Sequence, residues 1–310
     1  MKLECQSEKK VIIIYHRADY DGLFSGCIAK KFYLENGFTV DLCGYNYGDP
    51  LPDFEKIIQE SDEICILDVS FDPAYMKTLK STGKAYWIDH HIGTQRTAEQ
   101  NGYSDFPGSR TTEHKGAVEV AWSYFYAGQQ IPEIIEYVSA YDVWDKNRFS
   151  WDLEVTPLQY ALRAEYSLSI EKIWRSWDDL LYDPNILEDL LIAGQGIMKY
   201  LKAVWKSWCG NYAFDVLVAG KYKGICMLSA QSGSLQFESI SGNYDLQIVV
   251  NRKESDLYNV SIYKESDDCN DFDCAWYASE IKKTGNGHKS AAGFTIGLED
   301  FIKLVRDKEL

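Results

Sequence analysis

The sequence lacks the features of a membrane protein, of a zinc-binding domain and of a protein that binds long nucleic acids. No apolar run approaches the roughly 18 residues of a bilayer-spanning helix. No Cys-x-x-Cys pair is present, which argues against a structural zinc site. Lys and Arg number 32 against 47 Asp and Glu, so the formal net charge is −15 at pH 7. A protein that neutralises the phosphates of long nucleic acids is usually basic, so no such partner is expected.

The sequence also gives little sign of export. Residues 1–10 are polar and lack the apolar core of a signal peptide. The eight cysteines are scattered, and Cys27, Cys43 and Cys65 lie in apolar runs, as small core residues do. We therefore expect a cytoplasmic protein with reduced thiols and no membrane partner.

What the first half does contain is a regular alternation of strand and helix patterns. Strands are predicted at 11–15, 38–43, 63–67 and 84–88. Helices are predicted at 23–34, 54–60, 73–80, 117–126 and 132–141. Strands and helices that alternate at this spacing are typical of a parallel, doubly wound sheet.

The second half changes character after a helical middle. Helices are predicted at 173–177 and 186–208, and strands follow at 214–219, 224–228, 246–251 and 258–263, with a helix at 274–283. A chain of 310 residues exceeds what one core usually fills. We expect two α/β domains, a larger one at 1–190 and a smaller one at 206–310, joined by a helical connector at 191–205.

Acidic and imidazole side chains collect where predicted elements of the first domain end. Parallel sheets bind ligands outside the carboxyl ends of their strands, so these side chains are expected to converge at one edge. Burying so many carboxylates unpaired would be prohibitive, and bound cations are the natural compensation. The side chains are His16, Asp19, Asp21, Asp68, Asp89, His90, His91 and Asp142.

Each of these residues also has an ordinary structural explanation that needs no metal. A single Asp after a strand is usually a turn or a helix cap, but three of only five histidines fall at these ends. Carboxylate and imidazole ligands without a thiolate suit Mn²⁺ or Mg²⁺. Four ligand Asp balance the charge of two divalent ions, and paired ions are a recurring device for displacement at phosphorus.

A second motif is the glycine-rich turn Gly285-Asn-Gly-His-Lys-Ser-Ala-Ala-Gly-Phe294. Small residues let the backbone approach a ligand closely, and successive N–H groups can cradle a phosphate. Such a turn between a helix and a strand is structural about as often as it is functional, so the motif alone does not decide.

At these residues the sequence resembles the DHH phosphoesterase superfamily, in the right order and over nearly the whole chain. The triplet that names the superfamily is Asp89-His90-His91. The glycine-rich turn resembles the Gly-Gly-Gly-His signature of the DHH-associated domain of nanoRNases and RecJ-type nucleases. Segments 116–122, 141–144 and 261–263 are most similar to the NrnB-like nanoRNase subgroup.

The resemblance implies two metal positions and a catalytic set. His16 and Asp19 would bind one metal, Asp21, His90 and Asp142 the other, and Asp68 would bridge both. Asp89 would orient His90 without touching the metal. His91 would face the scissile phosphate as a donor or general acid.

The resemblance also implies substrate contacts from the second domain, across a cleft between the two domains. Gly285, Asn286, Gly287 and His288 would hold the terminal phosphate or sugar of the substrate. Asn286 replaces the middle glycine of the signature, and Asn tolerates a left-handed backbone better than most residues. Tyr263 stands near a position where other relatives have an arginine-containing strand, and would either stack a base or only pack.

The resemblance therefore implies a hydrolase that uses two divalent cations, with Mn²⁺ expected and Mg²⁺ as the alternative. A Mn²⁺-dependent phosphodiesterase that cuts short oligonucleotides to 5′-mononucleotides is the first expectation. A phosphatase or phosphodiesterase for nucleotide bisphosphates, cyclic or linear dinucleotides or polyphosphate is the second. A catalytically silent nucleotide-binding protein is the third, and a homodimer is kept as an option.

Overall fold

The computed structural model describes residues 9–231, 233–240, 242–265, 271–287 and 289–310. The chain divides into two compact units, Met1–Met198 and Lys199–Leu310. The first unit contains a parallel sheet and the second a mixed sheet, so the predicted α/β class is confirmed. One continuous helix, Pro184–Tyr212, contains the whole of the predicted connector 191–205.

The first unit alternates strands and helices and then becomes helical. Its strands are β1 (Lys10–His16), β2 (Thr39–Tyr45), β3 (Glu63–Leu67), β4 (Ala85–Asp89) and β5 (Gly108–Arg110). Its first helices are α1 (Tyr20–Glu35), α2 (Phe54–Glu60), α3 (Pro73–Ser81), α4 (Ile92–Asn101), α5 (Ala117–Phe125) and α6 (Glu133–Asp142). Then follow a π-helical turn (Trp151–Val155), α7 (Thr156–Tyr166), α8 (Ile170–Arg175), α9 (Trp177–Tyr182) and α10 (Pro184–Tyr212).

The parallel sheet has the strand order β2-β1-β3-β4-β5. Tyr15 in β1 pairs with Gly44 in β2 and with Leu67 in β3, and Leu67 pairs in turn with Ile88 in β4. Because β1 lies between β2 and β3, the chain continues from it to one side of the sheet and then to the other. In parallel sheets, a crevice forms where the strand order reverses in this way, beyond the carboxyl ends of the strands. The residues that directly follow these strands are therefore neighbours.

Both faces of the sheet are covered, which is why β1, β3 and β4 are apolar along most of their length. Along β1, Val11, Ile13 and Tyr15 belong to a core shared with α1, α5 and α6. Ile12 and Ile14 belong to a separate core with α2, α3 and α4. This alternation confirms the doubly wound arrangement, because each face of a strand is buried under its own layer of helices.

The second unit is built on a six-stranded sheet of order β10-β11-β9-β8-β7-β6. The strands are β6 (Phe214–Val218), β7 (Tyr222–Leu228), β8 (Leu246–Arg252), β9 (Leu257–Lys264), β10 (Asn286–Gly287) and β11 (Ala291–Gly297). A 3-10 segment (Ser234–Ile240), α11 (Cys274–Trp276), a π-helical turn (Tyr277–Ile281) and α12 (Leu298–Arg306) complete it. The strands β7 and β8 run parallel, and the other neighbours run antiparallel.

Several features differ from the sequence-based expectation; α7, β11 and α12, for example, were not predicted. The helix predicted at 274–283 is a short α-helix followed by the π-helical turn Tyr277–Ile281. The helix α4 was not predicted because only Ala98 of its ten residues is buried, which leaves no apolar period to detect. The strand β5, with only three residues, was not predicted either.

In the described part of the chain, no helix combines the length and the apolarity that crossing a bilayer requires.

Candidate metal centre

The carboxyl edge of the parallel sheet brings the predicted metal-binding side chains together. Within each of three overlapping clusters, one potential ligand atom per residue lies within 4.8 Å of the others. The clusters are His16 with Asp19 and Asp68, Asp21 with His90 and Asp142, and Asp68 with His90 and His91. We call the first the outer group and the second the inner group, with Asp68 facing both.

In the outer group, His16 is the last residue of β1 and Asp19 is the N-cap residue of α1. The Nδ1 atom of His16 lies 3.0 Å from Asp19 Oδ2 and 3.5 Å from Asp68 Oδ2. The other oxygen of Asp19 caps α1 by accepting a hydrogen bond of 3.0 Å from the Gly22 N–H. On the far side of the imidazole, Nε2 lies 3.2 Å from Asn46 Oδ1. In a neutral ring, a hydrogen bond to that carbonyl would place the single proton on Nε2 and leave Nδ1 able to bind a cation.

In the inner group, His90 is the central side chain. Its Nε2 atom lies 3.2 Å from Asp142 Oδ2, 3.5 Å from Asp68 Oδ1 and 3.7 Å from Asp21 Oδ2. The ring is mostly buried, with 12% of the side chain exposed. Carboxylates from three separate segments of the chain therefore surround one imidazole nitrogen.

The buried carboxylate of Asp21 is held by the N-terminus of α5. It accepts hydrogen bonds from the backbone N–H groups of Ala117 at 2.7 Å and Val118 at 2.9 Å. The first turn of a helix carries unpaired donors and a partial positive charge, so it stabilises an anion there. Gly116 is required for this approach, because a Cβ atom at that position would lie 2.5 Å from Asp21 Oδ1.

A buried series of hydrogen bonds holds the N-terminus of α5 in place, and the sequence did not predict it. The Gly116 N–H donates to Ser139 Oγ at 2.8 Å, and the Ser139 hydroxyl donates to Glu119 Oε2 at 3.0 Å. Glu119 is almost fully buried and accepts from Arg148 Nη1 at 2.6 Å. The segment 116–122 stood out in the sequence only as a resemblance, because its contacts come from residues 20 or more positions away.

Asp68 sits where the two groups meet and has an unusual backbone. Its φ angle is +56°, in the left-handed region, and its N–H donates to Ile88 O at 2.9 Å. Asp is among the non-glycine residues that adopt this region, at a cost of about 1–2 kcal/mol. Strain of this kind is concentrated at functional sites. The conformation lets one carboxylate face His16 with Oδ2 and His90 with Oδ1.

Asp89 organises the turn that carries the two histidines. Its Oδ1 accepts from the backbone N–H groups of His90 at 2.8 Å and His91 at 3.1 Å, and lies 2.7 Å from His91 Nδ1. Its Oδ2 accepts from Thr94 Oγ1 at 2.9 Å. Asp89 therefore contacts His90 through the backbone, and the ring that it orients is that of His91.

The electrostatics of the centre show an excess of negative charge. Burial raises the pKa of Asp21 well above its usual range, with the charges of Asp142 and Asp68 adding to it. Burial likewise raises the pKa of Asp142 to about 7, against the opposing effect of His90. For His90, burial lowers the pKa, but the close carboxylates of Asp68, Asp142 and Asp21 outweigh it and raise it to about 10.

His16 and Asp68 form a comparable pair in the outer group. Burial lowers the pKa of His16, but contact with Asp19 and Asp68 outweighs it and raises the pKa to about 11. Burial works to raise the pKa of Asp68, but contacts with His16 and His90 hold it below its usual value. Such a site attracts a positive charge, which a metal ion can supply in place of protons.

Three buried atoms test whether the residues fit metal ions. His16 Nδ1, Asp68 Oδ1 and His90 Nε2 find no hydrogen-bond partner of normal geometry among the described residues, although carboxylate or imidazole atoms lie 3.0–3.7 Å away. Buried polar atoms almost always have a partner. Nitrogen and oxygen atoms that converge without hydrogen-bonding suit cations between them, and the set without thiolates suits Mn²⁺ or Mg²⁺.

The glycine-rich turn of the second unit has a local structural reason for its glycines. A Cβ atom on Gly285 would lie 2.1 Å from Gly293 O, and one on Gly287 would lie 2.4 Å from Ala291 O. Asn286 pairs with Gly293 in the β10–β11 ladder. His288 lies outside the described residues, and the phosphate-binding role of the turn stays a prediction.

Tyr263 lies in β9 and is half-buried. It packs against the small core formed by Cys209, Ile225, Met227, Phe237 and Val249. Burial raises the pKa of its hydroxyl. These contacts favour the packing alternative for Tyr263 over base stacking.

Comparisons with known proteins bear on the fold. No family model matches the chain, and no curated protein matches it significantly. Among solved structures, the DHH domain of a member of the s1p family of ribosomal proteins matches with a TM-score of 0.55 and 17% identity, over 97% of this chain and 85% of that one. The chain has the DHH fold.

Two further DHH-fold structures are similar. The pGpG-specific phosphodiesterase PggH from Vibrio cholerae matches with a TM-score of 0.52 and 14% identity, over 97% of each chain. RecJ from Thermus thermophilus in complex with Mn²⁺ matches with a TM-score of 0.54 and 14% identity, over 95% of this chain and 50% of that one. The predicted likeness to DHH proteins is thus confirmed for the fold, and the nanoRNase subgroup stays a prediction.

Proposed function

We propose that the protein is a divalent-cation-dependent phosphoesterase whose site is the cluster at the carboxyl edge of the parallel sheet. The observation that carries the proposal is the shared carboxylate of Asp68, which faces His16 on one side and His90 on the other. Paired positions of this kind suit displacement at phosphorus. The DHH fold supports the proposal, since PggH is named a phosphodiesterase and RecJ is described with Mn²⁺.

Each group would hold one cation, with Mn²⁺ expected and Mg²⁺ as the alternative. His16 and Asp19 would bind the outer cation, Asp21, His90 and Asp142 the inner one, and Asp68 both. Bound divalent cations would withdraw charge from the phosphoryl oxygens and make an attacking water more acidic.

The residues around the cations have defined tasks in this scheme. Asp89 orients the ring of His91 by the 2.7 Å contact with Nδ1. Burial lowers the pKa of His91, but the contact with Asp89 outweighs it and raises the pKa. As the attacking water gives up a proton to solvent and its oxygen bonds to phosphorus, the bond to the leaving oxygen breaks. A protonated His91 would donate its proton to that oxygen.

The proposed substrate is a short oligonucleotide, cut to 5′-mononucleotides. The net charge of −15 disfavours long polymers, whereas two cations can hold a single phosphodiester. The likeness to PggH over 97% of both chains favours dinucleotides within this class. Gly285, Asn286, Gly287 and His288 are the proposed contacts for the far end of the substrate.

A hydrolysis panel with Mn²⁺ tests the proposal. It contains RNA and DNA of two to five nucleotides, cyclic dinucleotides, nucleoside bisphosphates and polyphosphate. We expect 5′-mononucleotides from the shortest RNA at the highest rate. Equal turnover of short RNA and polyphosphate would overturn the oligonucleotide assignment. If the Mn²⁺-loaded protein hydrolysed nothing in the panel, the phosphoesterase proposal itself would be wrong.

A further inference from the structure

Tyr47 is an exposed aromatic residue beside the metal centre with no part in the scheme above. It lies in the loop after β2, and its ring centroid is 5.8 Å from that of His16. Its exposed fraction is 53%. Its hydroxyl oxygen accepts a hydrogen bond of 3.1 Å from the backbone N–H of Ser70, two residues after Asp68. The side chain thus reaches from one strand-end loop to another.

The loop that carries Tyr47 is fixed on both sides of it. Before it, Asn46 contacts His16 Nε2 through its side chain. After it, Asp49 accepts the Asn46 N–H at 2.9 Å and two hydrogen bonds of 3.0 Å from Arg17, the residue that follows His16. Gly48 completes the tight turn with a φ angle of +97°. A fork of two hydrogen bonds between guanidinium and carboxylate holds geometry well.

Packing covers one side of the Tyr47 ring, and the residue as a whole is 53% exposed. One side of Tyr47 meets His16 and the buried Tyr45, whose ring centroid lies 6.0 Å away at a steep angle. The rest of the ring is open although the loop and the hydroxyl are anchored. A rigid aromatic surface next to a charged centre suits a flat ligand group, because a nucleobase stacks on such a ring without needing charge.

We propose that the open side of Tyr47 is a stacking site for a nucleobase, and that it selects nucleotide esters over base-free phosphates. The inference rests on the proposed function, since the phosphate must sit at the neighbouring centre. A nucleotide carries its base one sugar away from its phosphate. A phosphate held beside His16 can therefore bring its own base against Tyr47.

The direct test compares two ligands that differ only in the base. Guanosine 5′-monophosphate and ribose 5-phosphate are titrated calorimetrically into the Mn²⁺-loaded protein. We expect the nucleotide to bind about tenfold more tightly, as one stacked base provides. In Tyr47→Leu the ratio of the two dissociation constants should fall to near one. In Tyr47→Phe it should return to about tenfold, because the ring is kept and only the hydroxyl bond to Ser70 is lost.

A matched control is Tyr182→Leu, which removes a comparably exposed tyrosine (58%) from α9. It should keep the tenfold ratio. A Mn²⁺ titration of each variant shows whether His16 still binds the cation. An unchanged ratio in Tyr47→Leu, or equal weakening of both ligands, would overturn the stacking role.

The same variants separate this inference from the proposed function. If the wild type prefers the nucleotide and Tyr47→Leu does not, the stacking site stands, even if the hydrolysis panel is negative. If the panel is positive and the ratio is near one in the wild type, the phosphoesterase stands and the stacking site is wrong.

Discussion

The outer and inner groups of the centre begin from the same short motif but are supported in different ways. Asp19 and Asp21 are two residues apart at the start of α1. Asp19 is one-third exposed and caps its own helix, whereas Asp21 is fully buried and is held by the N-terminus of α5, almost 100 residues later. The carboxylate of Asp19 therefore depends on a local contact, and that of Asp21 depends on the packing of a separate helix.

The pKa values of the carboxyl groups are also shifted in different ways. In the inner group, burial raises the pKa of both Asp21 and Asp142. Burial works to raise the pKa of the shared carboxyl of Asp68, but the contacts of His16 and His90 hold it low. Burial therefore favours protonation of the inner carboxyls, whereas the imidazole contacts keep the shared carboxylate ionised.

The largest effect is expected from Asp68→Asn, which removes the one carboxylate that serves both groups. The amide keeps the size of the side chain but loses its charge and one ligand oxygen. Hydrolysis should fall at least about a thousandfold, and Mn²⁺ stoichiometry should fall with it. Circular dichroism controls for folding. Full activity in a folded variant would show that the two groups work independently.

The second effect is the pH dependence of cation binding. Folded-state pKa values are raised for His16 to about 11 and His90 to about 10, both by contact with carboxylates against opposing burial. The stabilisation that these two protonated imidazoles give to the cation-free protein is fully present below about pH 6.5. It is lost as the pH rises through their folded-state pKa values. Burial raises the pKa of Asp142 to about 7, so its contribution is lost as the pH rises from about 4 to 7.

In the proposed scheme Mn²⁺ would replace these protons, so its affinity should rise with pH. From pH 6 to 8 we expect about a hundredfold tighter binding, or tenfold per unit for each proton released. Calorimetry in buffers of different ionisation enthalpy counts the protons, and thermal denaturation with and without Mn²⁺ gives the stability. Binding that does not vary with pH would contradict the proposed displacement.

A smaller effect separates the inner group from the outer one. Gly116→Ala places a methyl group against Asp21 Oδ1 without replacing any ligand residue. Overpacking of this kind costs about 2 kcal/mol, so the inner cation should bind about 30-fold more weakly. Gly196→Ala in α10 is the matched control, because outside its chain neighbours and the backbone of its own helix no described atom would lie within 4 Å of the added Cβ. It should be neutral or stabilising. Equal behaviour of the two variants would refute the role of Gly116.

The smallest effect addresses the outer group alone. Asn46→Ala removes the oxygen that lies 3.2 Å from His16 Nε2 and fixes the ring. Loss of such a supporting contact weakens metal binding by about tenfold. Two-site Mn²⁺ titrations should show the outer position weakened more than the inner one. Equal weakening of both positions would mean that Asn46 does not act through the outer group.

The sequence predicts the centre of the parallel sheet well because these strands are buried on both faces. Continuous apolar runs mark β1, β3 and β4, and the polar residues just after them were expected to converge. The short strand β5 and the polar helix α4 carry no such pattern. Elements that depend on one buried side chain, such as Ala98, are fixed by their neighbours and not by their own sequence.

The same limit applies within the site. The grouping of the ligand residues was expected from strand ends and resemblance, and the structure brings those residues together. The support of Asp21 by α5, and the contact of Asp89 with the ring of His91, depend on side-chain directions that spacing does not encode. Tyr47 was missed because a tyrosine in a loop is unremarkable until the hydrogen bond from Ser70 places it beside His16.

The two oxygens of Asp68 point toward different groups, and this geometry has a thermodynamic consequence. In the proposed scheme, a cation bound in one group would fix the rotation of the carboxylate and so prepare the second oxygen for the other group. The two cations should then load cooperatively, with a Hill coefficient above one. Such a centre would change from empty to active over a narrow range of cation concentration, so the supply of divalent cations would control its activity.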